Sequence, residues 1–553
     1  MTDGIEAILF DVGGTLRGSA PSSETVKREK VREIKELLGA ATPVDELSAL
    51  LTSRGAAYRH WARQEWIEVN EAGLWTRWML PDYPAPHIEG IALQLNELWR
   101  QATGIREVFP ETREVLVQLF RRGYRIGIVS NTVSTTEAPA LLKRLEISGI
   151  PEVVVLSGNM GIRKPNPEIL LDATRRMRVD PARCVYVGDR HDRDVLAANR
   201  ARFCKTVLID STQPHDTDSP DATSPAADYY IHSLRELLDI FPPLERPLFT
   251  QPRYNASCST MWARHNFPHL SDFFQAASRL GFARVELNHQ FNSEKLENAP
   301  LSPQTVSSVH EPCPADVSTD ELKERDWLVS SLDEDCRRRG VAAIQRSIDL
   351  AAELHLPVVV VHPGMVSTDY TLERRLKKLF DAGKADSAES VELKSELIAI
   401  RSRLAQACLP MVKKSLLELL EYAGQFGIRL GWENRYHYYD IPSLDEMGEL
   451  LALADADRLG FIYDVGHAQH LDRLGFYAHE DWLRRYSSRI IETHLHDVKG
   501  FTDHLAPGLG EVDFDMVARY LPRDAIRTLE LQPGNTPEQV KAGLEYLAAH
   551  GCL

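Results

Sequence analysis

Short apolar runs alternate with stretches of helical periodicity along most of the chain. In the first 242 residues the apolar runs predict strands, and the segments between them have the spacing of amphipathic helices. The predicted strands are Ala7–Phe10, Arg125–Ser130, Glu152–Leu156, Cys184–Val187, Thr206–Ile209 and Asp228–Ile231. Strands that alternate with helices are typical of a Rossmann-like parallel α/β sheet.

Two parts of this region depart from the alternation. Residues from about Ser19 to Thr103 have helical spacing and are rich in tryptophan, which predicts a helical cap inserted into the sheet domain. The stretch Ser211–Ala227 is rich in Ser, Thr, Pro and Asp and predicts a mobile loop.

A proline-rich passage, Phe241–Pro247, precedes a second run of alternation. It predicts a first domain over 1–242, a linker over 243–250 and a second domain over 251–553. Eight further strands with intervening helices predict a (β/α)8 barrel. The predicted strands are Ala256–Thr260, Arg284–Asn288, Ser307–Glu311, Val358–His362, Arg429–Glu433, Gly460–Asp464, Ile490–His496 and Arg527–Leu531. A Lys/Glu/Leu-rich segment predicts a helical insertion at about 366–412.

Composition narrows the class of protein. The 553 residues include 80 acidic and 64 basic side chains, so the formal net charge of −16 disfavours nucleic acid as a partner. No apolar run is long enough to predict a membrane span, and the N-terminus lacks the basic region of a secretory signal. The 7 cysteines form no Cys-x-x-Cys pair, which predicts reduced thiols and a cytoplasmic location.

Four motifs at or near predicted strand ends indicate a phosphoryl-transfer site. Asp11, followed by two glycines, leaves a carboxylate above the sheet with room for a phosphate. Ser130 offers a hydroxyl group and Lys164 an ammonium group, while Asp189 and Asp194 suit an oxygen-ligated Mg²⁺. Each motif alone is more often an ordinary turn, but the four in this order favour a catalytic site.

On these motifs, residues 5–240 resemble a haloacid dehalogenase (HAD) superfamily hydrolase with a helical cap. The resemblance implies that Asp11 is a nucleophile that forms an aspartyl-phosphate. It also implies that Ser130 and Lys164 hold the phosphoryl oxygens. The implied Mg²⁺ ligands are Asp11, the backbone carbonyl of Gly13, Asp189 and Asp194.

The resemblance breaks at one position. Family phosphatases usually carry a second Asp two residues after the nucleophile, which protonates the leaving group, and here that position is Gly13. General acid catalysis is typically worth about 10²–10⁴-fold in rate. Three alternatives stay open: a good leaving group, an acid supplied by the cap, or a non-catalytic module that binds a ligand and regulates the barrel.

Metal-binding residue types stand at the end of nearly every predicted barrel strand. They are Glu286, His310, His362, Glu433, Asp464 with His467, His494 and Glu530, followed by His504 in a loop. Barrel enzymes hold their chemistry at these strand ends, and mixed imidazole and carboxylate ligands suit Zn²⁺, Mn²⁺ or Co²⁺. We interpret His496 and Asp497 as partners of the ligands. His289, His355, His437 and His470 lack the pattern and are interpreted as surface residues.

Residues from about 250 to 550 resemble the xylose isomerase-like barrel superfamily. Glu433, Asp464, His494 and Glu530 match the single-metal site of its sugar epimerases. The match implies that the two glutamates act as base and acid, and that His467 contacts the substrate oxygen. His310, His362 and His504 extend the ligand set towards the three-metal site of endonuclease IV-type enzymes. His467 is a further candidate metal ligand. There an Asp is replaced by Thr502, and Asp503 is expected to point elsewhere on an extended segment.

The sequence therefore predicts a bifunctional enzyme that acts on phosphorylated or sugar-like small metabolites. One half is a HAD-type phosphohydrolase with Mg²⁺, and the other is a sugar or sugar-phosphate isomerase or epimerase with Zn²⁺, Mn²⁺ or Co²⁺. The alternative for the barrel is a multi-zinc hydrolase of a phosphoester or glycosidic bond. Small molecules are the expected partners rather than nucleic acid or membranes, and many barrels of this type form homodimers.

Overall fold

The computed structural model describes residues 4–210 and 226–553. It divides the chain into two compact units, Met1–Arg246 and Pro247–Leu553. The predicted loop at Ser211–Ala227 lies outside the described residues except for its last two positions. Both units are built on parallel strands with intervening helices, so the predicted α/β class is confirmed.

The N-terminal unit contains a parallel sheet of six strands. From one edge to the other they are Pro151–Leu156, Arg125–Ser130, Ala7–Phe10, Cys184–Gly188, Lys205–Ile209 and Tyr229–Ile231. Ala7–Phe10 is fully buried, which agrees with its uninterrupted apolar sequence because a central parallel strand is covered on both faces.

The order of the strands places three carboxyl ends side by side. Ala7–Phe10 pairs with Arg125–Ser130 on one side and with Cys184–Gly188 on the other. Connections leave the central strand in both directions at this point, which opens the crevice where sheets of this kind bind ligands. Asp11, Ser130 and Asp189 lie at this crevice because each ends or directly follows one of the three strands.

Helices cover both faces of the sheet and pack on an apolar core. They are Thr112–Arg121, Glu137–Arg144, Ser157–Met160, Glu168–Met177, Leu196–Arg200 and Leu237–Ile240, with a π-helix at His191–Val195 and 3₁₀ turns at Pro181–Arg183 and Leu234–Glu236. The core includes Leu9, Val129, Ile169 and Tyr186.

The cap leaves and rejoins the sheet domain through an antiparallel strand pair, Arg17–Ala20 with Ile105–Val108. These strands are short and largely polar, so the apolar pattern did not predict them. Between them lie the helices Glu24–Leu38, Val44–Glu65, Glu71–Leu74 and Ala85–Thr103 and a π-helix at Trp75–Met79. The cap has an apolar core of its own, in which Trp75 and Trp99 are buried.

The C-terminal unit is a closed barrel of eight parallel strands, as predicted. In barrel order they are Arg284–Leu287, Val306–His310, Val358–Val361, Arg429–Glu433, Leu459–Asp464, Ile490–Leu495, Ile526–Leu529 and Ser257–Ser259. A two-stranded hairpin, Asp497–Lys499 with Thr502–Leu505, follows the sixth of these strands and was not predicted. It carries His504 towards the carboxyl end of the barrel.

Helices surround the barrel. They are Leu270–Leu280, Ser293–Leu296, Thr319–Glu324, Glu334–Glu353, Thr371–Asp381, Ala388–Gly424, Leu444–Leu451, Val465–Arg473, His479–Tyr486, Phe514–Ala518 and Pro537–Ala549, with 3₁₀ turns at Thr260–Ala263 and Ser487–Arg489. Thr371–Asp381 packs against the 37-residue helix Ala388–Gly424, which returns the chain to the next strand. None of the helices in the described residues combines the length and the apolar composition that crossing a bilayer requires.

Candidate active sites

The crevice of the N-terminal sheet gathers three buried carboxylates. Asp11, Asp189 and Asp194 each bring one oxygen to a group in which all three oxygens lie within 4.8 Å of one another. Lys164 reaches the group from its turn, with Nζ 2.6 Å from Oδ1 of Asp11 and 2.8 Å from Oδ1 of Asp194. The predicted Lys164 ammonium therefore meets the predicted carboxylates, although residues 11 and 164 are far apart in sequence.

A second cation, Arg193, belongs to this site and was not predicted. Its Nη2 lies 3.0 Å from Oδ2 of Asp11, 2.8 Å from Oδ1 of Asp189 and 2.9 Å from Oδ2 of Asp194. One guanidinium nitrogen thus bonds to all three carboxylates. The only signal in the sequence was its position between Asp189 and Asp194.

Burial and these charges shift the pKa values of Asp189 and Asp194 in opposite directions. Burial raises the pKa of Asp189 to about 8, although Arg193 opposes the shift. Burial would also raise the pKa of Asp194, but Arg193 and Lys164 outweigh it and hold that pKa below its ordinary value. Because Asp189 is mostly protonated at neutral pH, the three acids and the two cations leave no net negative charge in the pocket.

The donor set fits a hard divalent cation. Three converging buried carboxyl groups offer the oxygen ligands that Mg²⁺ prefers, and the bound ion would replace the proton of Asp189. Asp11, Asp189 and Asp194 would hold the ion. Arg193 would have to withdraw, because its Nη2 now lies among the same oxygens.

Gly13 and Ser130 flank Asp11. Ser130 is 6% exposed and ends the strand next to that of Asp11. Gly13 bridges to Arg17 within the turn, and a Cβ at Gly13 would meet no heavy atom within 4 Å. The position usually taken by the family's acid is therefore open space.

Two buried acids in the described part of the cap, Glu68 and Glu71, are both engaged. Glu68 accepts a hydrogen bond from the Ser157 hydroxyl at 3.1 Å, and its Oε2 lies 3.3 Å from Nη1 of Arg163. Glu71 accepts one from the backbone N–H of Thr135 at 2.6 Å. These bonds tie the cap to the sheet domain.

The barrel holds a group of four ligand atoms from the predicted quartet. One atom each of Glu433, Asp464, His494 and Glu530 lies within 4.8 Å of the others, and all four residues are at most 2% exposed. Nδ1 of His494 is 2.8 Å from Oε1 of Glu433, 3.2 Å from Oε2 of Glu530 and 3.7 Å from Oδ2 of Asp464.

The hydrogen bond of the other nitrogen of His494 determines which ring nitrogen faces the carboxylates. Nε2 lies 3.0 Å from Oε2 of Glu286, to which it donates a hydrogen bond. A neutral ring that donates through Nε2 presents the lone pair of Nδ1 to three carboxylates, and only a proton or a divalent cation between them makes that arrangement favourable. The donor set therefore fits a metal, and Glu286 is the carboxylate that orients its histidine ligand.

His310 and His362 are arranged in the same way beside Glu433. Nδ1 of His310 donates to the backbone carbonyl of Glu311 at 3.0 Å, and Nδ1 of His362 lies 3.3 Å from the Glu311 carboxylate. Their Nε2 atoms then lie 4.0 and 2.9 Å from Glu433 oxygens. Glu311, which the sequence did not single out, sets both rings.

His496 and His504 stack on the other side of Asp464, with ring centroids 4.2 Å apart. The backbone N–H of His504 donates to Nδ1 of His496, so His496 carries its proton on Nε2 and donates it to Asp464 at 3.1 Å. His496 in this tautomer supports Asp464 and has no lone pair for a metal, although its atoms fall in one metal-sized group with Asp464 and His504.

Asp503 belongs to none of the metal-sized groups of the described residues. Its Oδ1 lies 3.1 Å from Nδ1 of His504, which leaves Nε2 of that ring directed towards Glu530, 3.6 Å away. That Asp503 does not replace the missing metal ligand stays a prediction. Thr502 is exposed.

The remaining histidines are the candidate site residue His467 and the four that were interpreted as surface residues. Nδ1 of His467 donates to the carbonyl of Asn434 at 2.9 Å and lies 3.5 Å from Oδ1 of Asp464. The surface interpretation is wrong for His470, which is fully buried against Tyr436 and Phe501 because the helix Val465–Arg473 turns it inwards. It is also wrong for His289 and His437, which are half-buried beside His310 and Glu373. His355 is exposed, as expected.

Arg435 is a further residue that the sequence did not reveal. Its Nη1 forms a short ion pair with the Glu433 oxygen that also faces His362. Burial alone would raise the pKa of Glu433, but Arg435 and then His362 hold it well below the ordinary value. Arg435 also borders a cavity of about 60 Å³ whose wall includes Glu311, His362, Lys323 and Trp327.

Comparison with known proteins agrees with both halves. A family model described as haloacid dehalogenase-like hydrolase matches residues 5–202, and one described as xylose isomerase-like TIM barrel matches residues 274–550. The chain is thus a fusion of a haloacid dehalogenase-like unit with a xylose isomerase-like barrel. It belongs to the haloacid dehalogenase-like hydrolases through its N-terminal unit and to the xylose isomerase-like TIM barrels through its C-terminal unit.

Named relatives cover one unit each. A glyceraldehyde 3-phosphate phosphatase of Methanopyrus kandleri is 31% identical over 249 residues, which are 44% of this chain and 99% of that protein. A ribulose-1,5-bisphosphate 5-phosphatase of Halopiger xanaduensis is 31% identical over 155 residues, 27% of this chain and 64% of that protein. Among solved structures, 3-keto-D-glucoside 4-epimerase of E. coli has a TM-score of 0.38 and 16% identity, and the match covers 54% of this chain and 100% of that chain.

Replacing Arg193 by Met should tighten Mg²⁺ binding by about tenfold, because the ion no longer competes with a guanidinium for the same oxygens. Isothermal titration with MgCl₂ measures the change. Arg190→Met is the matched control, since Arg190 pairs with the exposed Asp192. Equal Mg²⁺ affinity in Arg193→Met and the unmodified protein would contradict the competition.

Replacing Glu286 by Gln should weaken metal binding in the barrel by about 10–100-fold, because His494 loses the charged acceptor that orients it. The d–d absorption of added Co²⁺ reports the affinity. Glu511→Gln, at an exposed glutamate of the same unit, serves as the control. Unchanged Co²⁺ affinity in Glu286→Gln would remove Glu286 from the site.

Proposed function

We propose that the N-terminal unit hydrolyses the phosphate ester of a small metabolite. The observation that carries this proposal is the convergence of Asp11, Lys164, Asp189 and Asp194 at the crevice of the sheet. The named relatives, among them a glyceraldehyde 3-phosphate phosphatase, support the same class of substrate.

In this proposal Asp11 attacks phosphorus through a carboxylate oxygen, and the ester oxygen departs as the new bond forms. Lys164 and the Ser130 hydroxyl hold the phosphoryl oxygens, and water then releases phosphate from Asp11. Bound Mg²⁺ would neutralise charge on the transferring group. The leaving oxygen needs a proton that Gly13 cannot supply, so esters of acidic alcohols are favoured as substrates.

Replacing Gly13 by Asp should raise kcat for glyceraldehyde 3-phosphate by tenfold or more, because the open space admits the side chain of a general acid. Phosphate release with MgCl₂ measures it, and Gly13→Ala, which fills the space without an acid, is the matched control. Asp11→Asn should abolish release. If Asp11→Asn retains the activity on p-nitrophenyl phosphate, the unit is a ligand-binding module instead.

For the barrel we propose a metal-dependent isomerase or epimerase of a sugar or sugar phosphate. Glu433 and Glu530 support this function because both carboxylates border one metal-sized group and are buried. One would remove a proton from a carbon next to a carbonyl, and the other would return it. Bound metal would polarise that carbonyl. Arg435 would hold a substrate oxygen, since it carries charge at the edge of the same group.

A multi-metal hydrolase is the second candidate, and a separate observation favours it. His310 and His362 direct one ring nitrogen each at Glu433, and His504 directs one at Glu530. Together with the quartet, these histidines would supply enough ligands for more than one ion. Clustered metals of this kind activate water for hydrolysis.

Metal content separates the two candidates. For an isomerase we expect about one ion of Mn²⁺ or Co²⁺ per chain, unchanged by His362→Ala, because the quartet alone completes a single site. Elemental analysis after dialysis measures it, with His355→Ala as the control at an exposed histidine. Two or three zinc ions, reduced in His362→Ala, would support the hydrolase. Deuterium uptake from D₂O into ketoses or their phosphates would support the isomerase.

A further inference from the structure

Three arginines converge on a single carboxylate next to the N-terminal site. Arg17 and Arg106 lie on one face of the strand pair that joins the cap to the sheet domain, and Arg100 lies in the last turn of the helix Ala85–Thr103. Arg17 bonds to Oε1 of Glu137 at 2.6 Å and Arg100 makes a short ion pair with it, while Nε of Arg106 is 3.8 Å from the same oxygen. We call these four residues the arginine cluster.

The arginine cluster carries more positive than negative charge. Three guanidinium groups face one carboxylate in direct contact. Glu97 attracts Arg106 more weakly, and Asp11 attracts Arg17. The three arginine side chains are only 13%, 16% and 26% exposed, so water compensates them incompletely. Burial, and then repulsion from Arg100, lowers the pKa of Arg106 to about 10.

One donor of the arginine cluster has no acceptor. Nε of Arg17 is buried and has no hydrogen-bond partner among the described residues. A buried donor without a partner costs free energy, so a ligand oxygen at this position would be favourable. A positive excess and an unused donor together describe a site for an anion.

The arginine cluster lies at the same edge of the sheet as Asp11. Arg17 closes the turn that begins at Asp11, since its carbonyl accepts a hydrogen bond from the N–H of Gly14 at 2.8 Å. The charge of Asp11 acts on the Arg17 guanidinium. Glu137 begins the helix that follows Ser130 after a short loop. One small molecule bound at Asp11 can therefore extend towards the arginine cluster.

We propose that Arg17, Arg100 and Arg106 form a second anion-binding subsite, which takes a carboxylate or a second phosphate of the ester hydrolysed at Asp11. This inference rests on the proposed phosphohydrolase function and narrows its substrates to doubly anionic metabolites. Charge-assisted hydrogen bonds from several guanidinium groups suit both kinds of anion. Glu137 competes with the ligand for the same donors.

Because Glu137 competes with the ligand, variants of Glu137 and of the arginines should change substrate preference in opposite directions. The ratio of kcat/KM for a doubly anionic ester to that for p-nitrophenyl phosphate is measured with 2-phosphoglycolate, which carries a carboxylate, and with ribulose 1,5-bisphosphate. Arg17→Met and Arg100→Met should each lower this ratio about 10–100-fold. Glu137→Gln should raise it several-fold. Arg175→Met, at an exposed arginine of the same unit, is the matched control. The substrate whose ratio responds more strongly identifies the anion.

Two results would overturn the subsite. One is a ratio that stays within about twofold of the unmodified protein in both arginine variants. The other is a ratio that falls in Glu137→Gln as it does in the arginine variants, because a purely structural link between cap and sheet would be weakened by either change.

Failure of the phosphohydrolase function is recognised separately, as absence of phosphate release from every ester. Isothermal titration of Asp11→Asn with 2-phosphoglycolate then decides the subsite by binding alone. Weaker binding when Arg100→Met is added supports the subsite, and equal binding overturns it.

Discussion

Both sites follow from one electrostatic constraint: parallel strands bring the acids at their carboxyl ends together in a buried place. Asp11 and Asp189 meet in this way at the crevice of the sheet, where Asp194 joins them from the π-helix His191–Val195. Glu433, Asp464 and Glu530 meet around His494 in the barrel. Like charges at such distances in a medium of low polarity are costly unless cations stand between them. The surrounding side chains meet that requirement.

The two units meet it differently. In the sheet domain two permanent cations, Lys164 and Arg193, contact the acids directly. In the barrel one permanent cation, Arg435, contacts Glu433. The other neighbours of the acids are mainly histidines, and the structure controls which ring nitrogen each of them offers. Glu286 occupies one nitrogen of His494, and Glu311 occupies one nitrogen of His310 and of His362. The free nitrogens then converge on the carboxylates, which is the arrangement that a metal centre requires.

Sequence reasoning succeeded where a strand end carried the signal. Asp11 and the quartet around His494 were predicted because an acid or imidazole directly after an apolar run is visible in one dimension. Lys164 was predicted from its order among the four motifs. Arg193, Arg435 and Glu311 were missed because only the partner of each residue gives it a role. His470 was misread as exposed because burial of a helix face depends on what packs against it.

The amino-acid sequence by itself determined the two α/β units, the order of their strands along the chain and the acids and histidines at the strand ends. These follow from local periodicity and from the rule that parallel strands share a carboxyl edge. Only the tertiary structure decided which charges meet, which histidine nitrogen is free, and that three arginines share Glu137. Those features depend on distances between residues far apart in the chain, which hydrophobic patterning does not encode.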